Sequence, residues 1–284
     1  MDNGYRHEDR TTGISVIYKP RAHTNPVRHH HGFWEILYLA SGERTFFYGS
    51  ASWLVRSGDA LIVRPQVLHR GLNRHERDCS LYNLSFPALE ASPFAHILPL
   101  LESCATDSNP VITVPEGERY RVIRLFSDIA RELELKKAGY ENAAWASASL
   151  LLVSLSRFAA DRTARADGTR PGIPLRAEIA ALVGWLDAHY AESVSLRALA
   201  ERASLSPAYL SRLFHRETRF TLTEYLAALR VRQACRLLSE TSLGAWEIAE
   251  RCGFGSAAQF GRVFRGLTGQ SPAQWRKAQA PARY

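Results

Sequence analysis

The sequence predicts an α+β protein of more than one domain: an antiparallel β-barrel with appended helices, then an all-α domain with two helix-turn-helix motifs. Three observations carry this. Residues 10–115 hold short apolar, aromatic-rich runs separated by turn signals. Residues 117–160 switch to a helical period, and residues 175–278 are nearly all helical in pattern and contain an internal repeat. A length of 284 residues agrees with two domains of about 100–200 residues each.

Composition narrows the class. Hydrophobic residues make up 46% and charged residues 23%, which excludes wholesale disorder, collagen-like repeats and coiled coil. The densest apolar stretch, residues 150–155, is far shorter than the about 20 residues of a membrane span. The polar, charged start argues against a secretory signal, and Cys79, Cys104, Cys235 and Cys252 form no CxxC pair; both point to reduced thiols in a cytoplasmic protein with no membrane partner. The net charge of +8 is concentrated toward the carboxyl end: from residue 175 onward there are 15 lysines and arginines against nine acidic residues. That excess fits a polyanionic partner or a solvated surface.

Element by element, strands are expected over 14–18, 33–40, 45–48, 53–56, 60–64, 80–86 and 111–114, with turns at Ser41-Gly42, Gly49-Ser50 and Ser57-Gly58-Asp59. A first helix places Val122, Leu125, Phe126, Ile129 and Leu133 on one face. A second, over 142–158, carries Leu151, Leu152, Leu155 and Phe158. Such an apolar helix docks on the barrel or forms a dimer seam, and Leu151, Leu152 and Leu155 are the seam residues expected of a homodimer. The chain therefore divides into 1–115 as barrel, 116–160 as helical dimerisation segment, 161–174 as a Pro- and Gly-punctuated linker and 175–284 as the helical domain.

The repeat carries the function. Ala200-Glu201-Arg202 matches Ala249-Glu250-Arg251, and Leu210-Ser211-Arg212-Leu213-Phe214 matches Phe260-Gly261-Arg262-Val263-Phe264; the offset grows from 49 to 50. Each copy reads as helix, turn, helix. Ala200 and Ala249 let the helices approach closely, Ser204 and Gly253 sit in the turns, and Ser206-Pro207 supplies an N-cap followed by proline at the first helical position. Ser256 to Gln259 reads as a capping box. In the second helix of each copy Leu210, Leu213 and Phe214, and Phe260, Val263 and Phe264, form the buried stripe. Ser211, Arg212 and His215, and Gly261, Arg262 and Arg265, then face outward. A guanidinium there can read guanine bidentately or grip phosphate. Between the copies, Thr221 to Glu224 caps a long helix able to hold two reading helices about 34 Å apart, one duplex turn.

Residues 175–278 resemble the DNA-binding domain of the AraC/XylS transcription regulators, through the two unequal copies, the run from Arg230 to Leu238, the segment from Ile248 to Phe254 and the segment from Phe264 to Arg276. The resemblance implies a sequence-specific regulator of transcription, usually an activator, with double-stranded DNA and RNA polymerase as partners. By position it places Ala208, Ser211 and Arg212 of the first copy, and Ala257, Ala258 and Arg262 of the second, at the DNA; His215, Arg216, Gln259 and Arg265 on the same two helices complete the candidate DNA-binding set. Arg219 and Leu222 stand where that family has glycine and proline, both kept in copy two as Gly269 and Pro272.

The amino-terminal region holds a second constellation. His29, His31 and Glu35 share strand parity, and His69 follows a turn, so three imidazoles and a carboxylate could converge on Fe, Mn, Ni or Zn. Gly58, His69 and Asn73 resemble a motif of the cupin barrel, although Arg64 and Gln66 replace its proline and glycine. Three readings stay open: a small-molecule effector pocket lined by His29, His31, Glu35 and His69; a divalent-metal site on the same four residues; or structural histidines. The matching functions are a ligand-responsive regulator, a metal-dependent cupin enzyme fused to a DNA-binding domain, and a constitutive DNA-binding protein. The sequence has no catalytic fingerprint such as GxSxG or a P-loop, which favours a non-enzyme.

Overall fold

The computed structural model describes residues 4–21, 33–49, 51–65, 67–73, 79–87, 98–104, 110–164 and 172–279. Ten strands are present among them: β1 (Tyr5–Glu8), β2 (Ser15–Lys19), β3 (Phe33–Ser41), β4 (Glu43–Tyr48), β5 (Ala51–Arg56), β6 (Asp59–Val63), β7 (His69–Asn73), β8 (Ser80–Pro87), β9 (Val111–Thr113) and β10 (Ile173–Pro174). They form two antiparallel sheets, β1-β2-β8-β3-β6-β9 and β10-β5-β4-β7. The cupin-like region is thus a two-sheet structure, and the sheets do not join into a closed ring among the described residues.

Alternation assigns each face. On β3, Leu37 and Leu39 pack between the sheets with Phe46, Tyr48, Trp53 and Val55. Their neighbours Trp34, Ile36 and Tyr38 pack the other way, against α2 (Arg119–Leu135) and α3 (Tyr140–Ala164). All five stripe residues of α2 are buried there. So are Leu151, Leu152 and Leu155, at 0%, 2% and 0% exposure. This corrects their assignment to a dimer seam: they fill the core under the six-stranded sheet, each contributing about 1.5–3 kcal/mol of burial, and keep no surface for a second subunit. The same burial covers three of the four leucines of α3, the helix that among the described residues has the length and apolar composition to cross a membrane; Leu150 stays exposed.

Three strands escape a hydrophobicity scan. β1 (Tyr-Arg-His-Glu) is a polar edge strand held by pairing with β2. β7 (His-Arg-Gly-Leu-Asn) lacks apolar alternation because His69 turns to Glu35 between the sheets while Arg70 turns outward to the helical domain. β10 lies in the stretch read as linker, where Ile173 and Pro174 extend the second sheet along Ser52 and Ala51; α3 also continues into that stretch, to Ala164.

The carboxyl-terminal helices are α4 (Ala177–His189), α5 (Leu196–Arg202), α6 (Pro207–Thr218), α7 (Leu222–Glu240), α8 (Ala245–Arg251), α9 (Ala257–Thr268) and α10 (Pro272–Gln279), while α1 (Leu98–Cys104) precedes β9. Helix α7 belongs to two cores. Tyr225, Ala228 and Leu229 pack with Leu210, Leu213 and Phe214, whereas Val231, Ala234, Cys235 and Leu238 pack with Ile248, Phe260 and Phe264. Its 19 residues span about 28 Å at the α-helical rise. Cys79, Cys235 and Cys252 are buried and form no disulfide among the described residues.

Candidate functional site

The two helix-turn-helix units are built alike. In α5–α6 the Leu205 N–H donates to the Ala200 carbonyl at 2.9 Å; in α8–α9 the Phe254 N–H donates to the Ala249 carbonyl at 2.9 Å. Ser206 and Ser256 cap α6 and α9 by accepting from the Tyr209 and Gln259 N–H groups. The expected capping box at Ser256 is only half formed, because the Gln259 side-chain oxygen accepts from Gly255 N–H rather than from Ser256. The box at Thr221 and Glu224 is complete.

The turn of the second unit is fixed by Gly253. Its φ is +74°, and a Cβ there would stand 2.2 Å from the Ala191 carbonyl oxygen. The loop after α4 is held from the other side by Arg230 of α7, whose guanidinium donates to the carbonyls of Tyr190 (2.8 Å) and Glu192 (2.9 Å). One loop therefore clamps the turn of the second unit to α7 and to α4 of the first, so the two units cannot rotate independently without breaking these contacts.

The outward faces are polar and basic. Ala208, Ser211, Arg212, His215 and Arg216 are exposed on α6, and Ala257, Ala258, Gln259, Arg262 and Arg265 on α9. Val263, expected in the buried stripe, is only half-buried, Gly261, expected to face outward, is half-buried as well, and the buried residues of α9 are Phe260, Phe264 and Leu267. Arg216 lies 3.5 Å from Glu217, but Arg212, Arg262 and Arg265 have no hydrogen bond or ion pair among the described residues. Unpaired guanidinium groups on two helices held by one spacer suit a polyanion with a repeating groove. A cleft of about 690 Å³ runs along α7 between the units, bordered by Ser211 of α6 and Gln259 of α9.

A second site lies between the sheets. Of the four residues proposed for an effector or metal, Glu35 and His69 are brought together, with His69 Nε2 3.0 Å from Glu35 Oε2; His29 and His31 lie outside the described residues. Asn83 Nδ2 donates to the other Glu35 oxygen, and His69 Nδ1 faces the Val67 carbonyl at 3.1 Å. No group of three or more metal-ligating side chains is assembled among the described residues, and the two candidate ligands present bond each other. Beside them is a cavity of about 60 Å³ bordered by Lys19, Arg44, Phe46, Arg70, Gly71 and Asn83. Arg44 is 5% exposed, and its Nη2 donates to the Gly71 carbonyl at 3.0 Å. Glycine is required at 71, since a Cβ would meet Phe46 at 2.5 Å and Arg44 Nε at 2.7 Å. Burial lowers the Lys19 pKa from its ordinary value, and the nearby Arg44 charge lowers it further; burial lowers that of Arg44 too.

Sequence reasoning missed Lys19, Arg44 and Asn83. The signal was parity: Arg44 shares its strand face with Phe46 and Tyr48, so a cation had to point between the sheets. It also missed the contact between the β-region and the first helix-turn-helix unit. Phe47, on the outer face of β4, meets Phe220 edge-on at 5.9 Å and Tyr225 at 6.4 Å. Arg70 of β7 stacks over Phe220 at 5.4 Å, lies 3.6 Å from Glu224 and donates to the Arg219 carbonyl.

Comparison with known proteins finds a match for each of the two regions. The model of the AraC-like ligand binding domain matches residues 15–153, and a helix-turn-helix domain model matches residues 199–278. The chain is 27% identical over 251 residues to the HTH-type transcriptional activator RhaS of Enterobacter sp. (strain 638), covering 88% of this chain and 87% of that protein. It is 29% identical over 254 residues to RhaS of Salmonella arizonae, with the same coverage. Among solved structures, the C-terminal domain of AraT, a response regulator from Geobacillus stearothermophilus, is 30% identical, covers 39% of this chain and 92% of its own, and gives a TM-score of 0.37. With a ligand-binding region and a double helix-turn-helix region each matched, the chain belongs to the AraC family of transcription regulators.

Proposed function

We propose that the chain is a ligand-responsive transcription activator that binds double-stranded DNA through both helix-turn-helix units and takes a small-molecule effector between its two sheets. Residues 1–115 hold the effector, with His29, His31, Glu35 and His69 at the pocket. Residues 116–160 pack on the sheet, 161–174 connect, and 175–284 bind DNA and present the regulator to RNA polymerase. Its role is regulatory rather than catalytic, and its compartment is the cytoplasm. If two subunits pair, the outward faces of α2 and α3 are the place, where Tyr120 and Leu150 stand exposed at 75% and 50%.

One observation carries this reading. Arg212 and Arg262 stand exposed on helices joined through a single rigid spacer, while the first of those units is also docked on the wall of the ligand cavity through Arg70. A ligand that binds the docked and undocked arrangements with different affinity shifts their populations, as any effector must.

Selection of bound duplexes from random DNA by the full-length protein tests it. Two short motifs about one helical turn apart should be enriched, and affinity for them should fall steeply as salt rises. No enrichment together with a flat salt response would remove the DNA-binding reading.

A further inference from the structure

We propose that the cavity between the sheets takes a small carboxylate carrying its own hydrogen-bond donor, a hydroxyl or an amine, with Lys19 and Arg44 holding the carboxylate and Asn83 accepting from the donor. The inference rests on the reading of this cavity as the effector site and names the chemistry of its ligand.

Charge is the first argument. Lys19 and Arg44 border the cavity, the Arg70 guanidinium being turned away to Glu224 and the Arg219 carbonyl, and Glu35 is the only carboxylate among the described lining residues; that carboxylate already accepts from Asn83 and faces His69. Burial and the Arg44 charge both lower the Lys19 pKa, and the Glu35 carboxylate on the same cavity wall does not reverse that shift. An anion between them would relieve both the repulsion and the desolvation.

Unsatisfied polar atoms are the second. Arg44 Nε is buried with no hydrogen-bond partner among the described residues, on a residue that is 5% exposed, while Nη2 is taken by the Gly71 carbonyl. A buried guanidinium N–H left open is costly and can donate to one carboxylate oxygen. Asn83 Oδ1 is likewise buried without a partner among the described residues, and being an acceptor it calls for a donor on the ligand. A simple fatty acid would leave it unpaired, and a neutral polyol would leave the guanidinium charge uncompensated.

Size is the third. A cavity of about 60 Å³ holds four to six water-sized probes at roughly 10–15 Å³ each, which suits a molecule of about six heavy atoms. Phe46, Leu37 and Leu81 supply an apolar wall for one short alkyl group.

Lactate, propionate and lactamide separate these features, since propionate lacks the hydroxyl and lactamide the charge. Thermal unfolding of the full-length protein is followed with each probe at matched ionic strength, using chloride as reference. Lactate should raise the unfolding midpoint most, propionate less, and lactamide not at all. Lys19→Met should weaken the lactate response about tenfold, the loss of one charge-assisted contact. Lys19 is only half-buried, so this variant should fold even if Arg44→Gln does not. A lactate response unchanged in Lys19→Met would place the anion on the DNA-binding face and overturn the proposal, as would lactamide matching lactate. If lactamide or glycerol stabilises the protein, lactate does not, and the response disappears when Leu81→Trp fills the cavity, the effector cavity survives and its anionic character falls. If none of the probes shifts the midpoint, the carboxylate assignment is wrong.

Discussion

The two helix-turn-helix units share a scaffold and part company at the corner after the recognition helix. In both, a threonine closes that corner: Thr218 Oγ1 donates to the Phe214 carbonyl at 2.7 Å and accepts from Phe220 N–H, while Thr268 Oγ1 donates to the Phe264 carbonyl at 2.9 Å and accepts from Gln270 N–H. Beyond the threonine the chains diverge. The second copy turns through Gly269 (φ +75°) into exposed Gln270. The first turns through Arg219 (φ +66°) into Phe220, which is 1% exposed and packed against Phe47 and Arg70 of the β-region. Duplication has left one copy with the relaxed corner and turned the other into the contact through which the ligand cavity touches the DNA-binding unit. The departures from the family pattern at 219 and 222 lie at this docking corner.

The largest effect expected from that difference is on stability. Phe220→Ala removes a buried aromatic that belongs to the core of the first unit, and should lower unfolding free energy by about 3 kcal/mol or more in denaturant titration. Gln270→Ala, at the equivalent position, should stay within about 0.5 kcal/mol of wild type. Similar losses at both positions would mean that the corners are interchangeable and that no specialised docking exists. Phe47→Ala sharpens the comparison, because it removes the same contact from the β side while leaving every helical side chain of that core in place.

A smaller effect separates the copies at the DNA. Around Arg212 on α6 stand Ser211 and His215, side chains able to meet base edges, whereas Arg262 on α9 is flanked by Ala257, Ala258 and Gly261, which carry little hydrogen-bonding capacity. Arg212→Ala should therefore cost about 1–3 kcal/mol on selected duplexes and much less on random DNA. Arg262→Ala should weaken binding to both more evenly. Equal losses for Arg212→Ala on both kinds of duplex would reassign it to phosphate contact.

The range of an interaction along the chain decided whether the sequence revealed it. The recognition units were visible because every defining contact lies within about 20 residues: small residue, turn, cap and anchor fall at fixed offsets. The faces of β3 and α2 were visible for the same reason, as period-two and 3.6-residue patterns. The docking corner was not, because Phe47 and Phe220 look like ordinary core aromatics until the fold brings them to 5.9 Å. Leu151, Leu152 and Leu155 were correctly apolar, but periodicity does not say which surface covers a stripe, and the sheet of the same chain does so. Arg44 lies outside the histidine motif, and its parity with Phe46 and Tyr48 is the one mark of it in the sequence.

The smallest expected effect is the sharpest test of whether the first corner is strained for its task. A non-glycine residue in the left-handed region costs about 1 kcal/mol relative to glycine, and Arg219 occupies it. What the docking uses is the Arg219 carbonyl, which accepts from Arg70, and glycine keeps that carbonyl. Arg219→Gly should therefore raise the unfolding free energy by about 0.5 kcal/mol, the relief of strain being partly offset by the freer unfolded chain. Gly269→Arg in the second copy, where a Cβ would meet nothing within 4 Å, should lower it by about 1 kcal/mol from backbone strain alone. Opposite signs at equivalent positions would show that the first copy bears a strain that the second avoids. A loss at Arg219→Gly would instead mean that the arginine side chain itself holds the corner, and that the carbonyl is not what the β-region grips.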